Sequence, residues 1–379
     1  MDKVNEERKK KGLAPQEPWE LFDLIGGTST GGYVVLYLYF LRSLMSYRLI
    51  AVMLGRLRMS VKECKERYMK LAKDAFTPIY SSFNRVGKLL GKIQAKPAFN
   101  EKKLEDAILS IILSALQRDV KTQLRGTSRH MPEMPDRNKG SEAQNLLLYH
   151  PGQSEQSGKT YAIVQDNPLF KIANTNQNIS FVVAADESNA QAALILRSYN
   201  NPHGSRDPID HCLLWQACRA TSAAPTFFAP LAFEDPETGK QRRLIDGGIV
   251  NNNPVSLVYR ESQDLWPNTT PLLISIGTGL KEDTQFKGAA LSIAKSLVEI
   301  ATETEATHQR FKNGSGKELA NKNKYFRFNV PNLGTIGMEE YKKLADLQKE
   351  TIDYISEHSG RALAEACVEK MLETATPGT

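Results

Sequence analysis

A chain of 379 residues can bury a large core, and 41% hydrophobic and 24% charged residues with a mean hydropathy of −0.40 fit a globular protein. The net charge of +6 is mildly basic, but bases and acids interleave along the chain, which excludes nucleic acid as an expected partner and leaves an anionic membrane surface compatible. Cys64, Cys212, Cys218 and Cys367 have neither metal-ligand spacing nor a disulfide framework, and Met1–Gly12 is charged without an apolar core. No metal, no cofactor and no secretory signal are therefore expected, and the expected location is cytoplasmic, at most peripheral to membranes.

In chain order, Glu20–Ile25 reads as a short strand running into Gly26-Gly27-Thr28-Ser29-Thr30-Gly31-Gly32. An apolar stretch, Tyr33–Leu54, is followed by a charged helix over Val61–Lys73. Lys102–Lys121 carries Leu104, Ile108, Ile111, Ile112 and Ala115 at helical spacing and predicts an amphipathic helix. Gly126–Lys159, rich in Gly, Pro, Ser and charge, reads as a polar loop, a lid or an insertion. Strands are expected at Tyr161–Val164, Ile179–Ala184, Ala193–Ser198 and Phe227–Phe233, with a buried one at Leu272–Ile276. Helices are expected at Leu213–Ser222, Ala289–Arg310, Met338–Ser356 and Arg361–Glu373. Short apolar strands alternating with helices predict an α/β fold of three layers, a mixed, mostly parallel sheet flanked by helices.

Two short motifs carry chemistry. Gly27-x-Ser29-x-Gly31 follows a strand and precedes an apolar run, the context of a nucleophile elbow. A serine at so sharp a turn projects its hydroxyl from the sheet, small neighbours let the backbone bend, and the amide of Thr30 can donate to a developing oxyanion. A serine also needs a base. His130, His150, His203, His211, His308 and His358 each sit in loop, turn or surface settings rather than a catalytic one. The other candidate is Asp246, in Leu244-Ile245-Asp246-Gly247-Gly248, an acid at the tip of a short strand. Its two glycines allow close backbone approach, and Asn251-Asn252-Asn253-Pro254 then opens a helix.

The pairing of Gly26–Gly32 with Asp246-Gly247-Gly248 and Asn252-Asn253-Pro254 resembles the patatin-like phospholipase family. Supporting stretches are Leu196-Arg197-Ser198-Tyr199, Ala217-Cys218-Arg219-Ala220-Thr221-Ser222-Ala223-Ala224-Pro225 and Ser275-Ile276-Gly277-Thr278-Gly279. The resemblance implies a Ser-Asp dyad, Ser29 as nucleophile and Asp246 as proton acceptor, without histidine, metal or cofactor. It implies cleavage of acyl esters of membrane lipids through an acyl-enzyme, with a phospholipid or other acyl lipid as partner at a membrane surface. Gly27, Thr30, Gly31, Gly247 and Gly248 would support the elbow and oxyanion. The expected organisation is a charged segment over 1–18, the acyl hydrolase domain over 19–335 and C-terminal helices over 336–379.

Two departures from the family pattern stand out. Nothing in Met1–Trp19 resembles the family's opening strand and Asp-Gly-Gly-Gly-x-Arg-Gly loop, whose amides form the oxyanion hole. The family's helix of the type Leu-Ile-Ala-x-Met-Leu-Gly is found here as Leu49–Gly55, displaced by 33–48. That segment reads as an insertion, of the kind a retained intron leaves, and the rival reading is a membrane anchor spanning Tyr33–Leu54. Arg42 and Arg48 within it weigh against the anchor. The alternative to an active hydrolase is therefore a catalytically impaired or dead patatin-like module that binds or signals, or a truncated product.

Overall fold

A computed structural model describes residues 1–28, 46–75, 97, 99–125, 146–147, 163–164, 179–203, 212–225, 227–234, 239–277, 304–331 and 344–374. Its centre is a five-stranded mixed sheet of β1 (Leu24–Gly27), β4 (Ile179–Asp186), β5 (Asn189–Arg197), β6 (Leu231–Glu234) and β7 (Gln241–Asp246). β1 runs parallel to β4, whereas β5 and β7 run antiparallel to it and β6 antiparallel to β7. Two short two-stranded sheets lie apart from it: β2 (Leu146–Leu147) with β3 (Ile163–Val164), and β8 (Leu273–Ile276) with β9 (Tyr325–Phe328).

The sequence of β4, Ile-Ser-Phe-Val-Val-Ala-Ala-Asp, dictates a layered packing. Successive side chains of a strand point to opposite faces, so a near-continuous apolar run must be covered on both. One face presents Val182 and Ala184 and the other Ile179, Phe181 and Val183, all at most 5% exposed. Val182 and Ala184 pack with Leu49, Val52 and Met53 from α3 (Ser46–Ala51) and the π turn Val52–Arg56 that continues it. The same layer holds α4 (Val61–Ala75), α5 (Glu101–Arg125) and α6 (Leu214–Thr221). The opposite face of β4 packs against Leu257 and Val258 of α7 (Val255–Leu265). The result is the expected three-layer α/β arrangement.

Helical periodicity proves reliable where it is long. In α5, Leu104, Ile108, Ile111, Ile112 and Ala115 are all buried, as their spacing requires. Each of the Leu and Ile side chains contributes roughly 1.5–3 kcal/mol by leaving water. The first strand begins later than the apolar run suggests. Pro18–Leu21 forms the single-turn helix α2, capped by the Glu20 side chain, which accepts the Glu17 amide at 2.8 Å, with Pro18 at its first turn, so only Leu24–Gly27 extends. Phe227–Pro230 likewise turns, the Phe227 and Phe228 amides donating to Ala224 O, and the strand starts at Leu231. β8 is buried at Leu273 and Ser275, but Ile276 is 63% exposed.

Helix α1 (Asp2–Lys10) sends Val4 into a cluster with Phe326 of β9 and with Cys367, Val368, Met371 and Leu372. Those last four belong to α11 (His358–Thr374), which follows α10 (Leu344–Ser356). Between them and α7 lie the helical residues 304–313, here α8, and α9 (Lys317–Asn321). Of the 33–48 segment, residues 33–45 lie outside the described residues, as does most of 126–159. Within the Tyr33–Leu54 run, Leu49, Val52 and Met53 belong to the protein core. Among the described residues no helix is long and apolar enough to cross a membrane.

Candidate active site

The register of β4 determines where the two motifs meet. β5 pairs with one edge of β4 from Phe181 to Asp186. On the other edge Gly27 of β1 pairs with Val182, and Asp246 of β7 pairs with Ala184. β1 and β7 therefore share one edge and point their C-terminal ends at each other. Two residues of strand separate their partners, about 7 Å. The end of β1, from which the Gly-rich motif continues, and the acid that ends β7 are thus brought head to head.

A hydrogen bond closes the junction. Thr28, 4% exposed and adjacent to Ser29, donates its hydroxyl to Asn251 O at 2.6 Å. Ser29, Thr30 and Gly31 themselves lie outside the described residues. Asp246 is 2% exposed, and its Oδ1 accepts the Gly248 amide at 2.6 Å, capping the 3₁₀ turn Gly247–Ile249. This bond fixes the orientation of the carboxylate, as an N-cap side chain does. The Asp246 amide donates to Ala223 O at 3.1 Å, so α6 and its exit loop hold the acid from behind.

Two glycines are required by close approach. A Cβ on Gly26 would stand 2.5 Å from Phe181 Cζ and 2.6 Å from Val258 Cγ2, so β1 lies too tightly under α7 for any side chain there. A Cβ on Gly247 would be driven into the Val183 carbonyl. That carbonyl cannot retreat, because it accepts the Thr221 hydroxyl at 2.6 Å.

The supporting motifs acquire physical roles that spacing alone does not disclose. Arg197 donates through Nε and Nη2 to the two oxygens of Glu261, both at 2.7 Å, and Tyr199 adds its hydroxyl at 2.8 Å. Glu261 is fully buried, and this network clamps α7 to the sheet. Desolvation works to raise its pKa, but the Arg197 and Tyr199 bonds outweigh it and hold the carboxyl below the usual range. Arg219, 1% exposed, bonds Ala229 O at 2.7 Å and Glu105 at 3.3 Å, joining α6 to α5 and to the turn before β6. Asn252 and Asn253 tie the loop after Asp246 to Thr304 of α8, at 2.9 and 3.1 Å.

Rival nucleophiles and bases are unsuited where they can be described. Burial pushes the thiols of Cys64, Cys218 and Cys367 up to about 12, and that of Cys212 higher still, so all four remain protonated thiols at neutral pH. His308 accepts or donates at Nδ1 to the Tyr325 hydroxyl at 2.7 Å, and burial lowers its pKa. Among the described residues no group of three or more His, Cys, Asp or Glu could hold a metal ion.

An α/β core with a glycine-flanked acid delivered beside a Gly-rich strand end is the arrangement of a patatin-type domain. A sequence profile for patatin-like phospholipase matches residues 13–259, and the chain belongs to that family. Among curated proteins it is similar to calcium-independent phospholipase A2-gamma of Mus musculus, with 29% identity over 364 residues, covering 92% of this chain and 36% of the relative. The Homo sapiens protein of the same name is 28% identical over 360 residues, 92% of this chain and 35% of the relative. Phospholipase A I of Arabidopsis thaliana is 26% identical over 334 residues, 84% of this chain and 23% of the relative. The chain thus spans about a third or less of the length of these relatives.

Proposed function

We propose that this chain is a serine lipid acyl hydrolase of the phospholipase A type, working through Ser29 and Asp246 at a membrane surface. The observation that carries the reading is the convergence of β1 and β7 on one edge of β4, fastened by the Thr28–Asn251 bond. Family membership and the phospholipase names of its relatives support the substrate class.

In this mechanism the Ser29 hydroxyl attacks the ester carbonyl carbon while Asp246 takes its proton. The tetrahedral oxyanion receives the amide of Thr30. Its collapse breaks the ester C–O bond, and Asp246 returns the proton to the departing alcohol. Water then attacks the acyl-serine with Asp246 again as base, releasing the fatty acid and regenerating Ser29. The Gly248 amide holds the carboxylate in a fixed orientation through both half-reactions.

Pre-steady-state hydrolysis of a chromogenic ester tests this reading. A burst of alcohol release is expected, abolished by Ser29→Ala and strongly slowed by Asp246→Asn. A chain that binds lipid vesicles but gives neither burst nor turnover would instead be an impaired module that binds or signals. A burst surviving in Ser29→Ala would remove Ser29 from the mechanism.

A further inference from the structure

The loop after Asp246 serves both ends of the proposed dyad. The Gly248 amide orients the Asp246 carboxylate, and the Asn251 carbonyl receives the hydroxyl of Thr28, the residue before Ser29. Any shift of residues 247–251 therefore disturbs the base and the anchor beside the nucleophile together. Packing alone does not fix this loop. Gly247 lies against the Val183 carbonyl, but residues 248–253 also line a cavity of about 440 Å³, shared with Thr304, Thr307 and Phe311 of α8. A loop that borders open space has no packed neighbour on that side, and directed hydrogen bonds must hold it instead. Two such bonds reach α8, and both end on one residue. Asn252 Nδ2 donates to Thr304 Oγ1 at 2.9 Å, and Asn253 Nδ2 donates to Thr304 O at 3.1 Å. Asn252 Oδ1 is buried with no partner, so among the described residues Thr304 is the whole polar hold on that side chain. Asn253, 3% exposed, also accepts the Val255 amide at 3.3 Å and so joins the loop to the start of α7. The support is itself well seated. His308 of α8 bonds the Tyr325 hydroxyl of β9 at 2.7 Å, and the Phe311 ring meets the Tyr325 ring edge-on at 5.0 Å.

We infer that Thr304 is a positioning residue for the reaction: through the Asn252 and Asn253 amides it sets the 247–251 loop, and with it the direction of Asp246 and the anchor of Thr28. The inference rests on the reading of Ser29 and Asp246 as the reacting pair. Thr304 lies beyond residues 13–259, so the family match does not itself supply the residue. The Asn251-Asn252-Asn253 run thereby acquires a task for each member. Asn251 offers its carbonyl to Thr28, and the next two amides secure that carbonyl from α8.

The test uses the full chain and two readouts. In turnover of a chromogenic ester, Thr304→Val keeps the shape and the backbone carbonyl that Asn253 uses, but strips Oγ1 from Asn252. The expected result is a kcat lower by about ten-fold or more with KM nearly unchanged, as misplacement of a reacting group produces. Thr304→Ser returns the hydroxyl and should recover most of kcat, which a variant failing through lost packing would not do. Thr307→Val removes a hydroxyl from the same helix and should keep the wild-type kcat. Combining Thr28→Val with Thr304→Val should cost less than the product of the two losses, because both act on one loop. A wild-type kcat in Thr304→Val, an equal fall in Thr307→Val, or fully multiplicative losses overturn the inference. The second readout needs no turnover. The Gly248, Val250 and Asn251 amides are bonded within the loop, so hydrogen exchange of peptides spanning 247–253 reports its order. Exchange there should quicken about five-fold or more in Thr304→Val, as loss of one buried hydrogen bond does, and revert in Thr304→Ser. Unchanged exchange overturns the inference. A wild type without ester turnover contradicts the Ser29–Asp246 reading alone, and exchange then decides whether Thr304 holds the loop.

Discussion

Replacing Gly247 by alanine puts the largest demand on the arrangement described here. The new Cβ meets the carbonyl carbon and oxygen of Val183, backbone atoms of the central strand. The strand cannot yield, since Val183 O is held by Thr221 and the next residue, Ala184, pairs with Asp246 itself. The turn must move instead, stretching the Gly248–Asp246 bond. Overpacking a well-fitted interior costs about 1–3 kcal/mol, and a clash with strand backbone that cannot give way falls at the upper end, about 3 kcal/mol. A displacement of the acid approaching 1 Å would lower kcat on the order of 10²-fold. Urea denaturation with an unchanged m-value measures the first quantity and ester turnover the second. Gly239→Ala is the matched control: φ is +66° with open space around it, so it should lose roughly 1–2 kcal/mol and retain its turnover. A Gly247→Ala protein as stable and as active as the wild type would refute the close packing of the Asp246 turn against β4.

Glu261→Gln should destabilise the fold by about 3–5 kcal/mol, because the Arg197 guanidinium is left buried without its counter-charge; thermal unfolding measures it. Because the folded carboxyl has its pKa lowered, its contribution is present above the unfolded pKa and lost as the pH falls through the folded one. The difference in stability between wild type and Glu261→Gln should therefore shrink on acidification below the ordinary carboxylate range, and a difference that grows instead contradicts the network. Thr28→Val keeps the shape but orphans Asn251 O, so about 1–3 kcal/mol of stability and a large part of kcat should be lost together. Loss of stability with kcat retained would mean that the Thr28–Asn251 bond does not position the elbow.

Much of the fold was legible in the sequence because it rests on strong local signals. The Ile179–Asp186 strand is an uninterrupted apolar run, and the Glu101–Arg125 helix keeps its apolar spacing over several turns. Boundaries were lost where local chemistry outweighed hydrophobicity, as at Pro18–Leu21, where the Glu20 carboxylate on the Glu17 amide and a proline turn the start of an apolar run into a helix. The four-residue strand Tyr325–Phe328 escaped notice because Arg327 and its short length leave little periodic signal, and its partner lies some fifty residues away at Leu273–Ile276. The site motifs were visible, but the reason for Arg197, Tyr199 and Thr221 was not. Their partners, Glu261 and the Val183 carbonyl, are contacts made only by the folded chain.

The most direct measurement is covalent capture of the nucleophile. The full chain, treated with a fluorophosphonate ester and digested, is mapped by mass spectrometry for the modified serine. The account predicts one stoichiometric adduct on Ser29, absent in Ser29→Ala and formed at least about 10²-fold more slowly in Asp246→Asn, since the base that activates the hydroxyl is then gone. An adduct on another serine, or a labelling rate indifferent to Asp246→Asn, would contradict the pairing of Ser29 with Asp246.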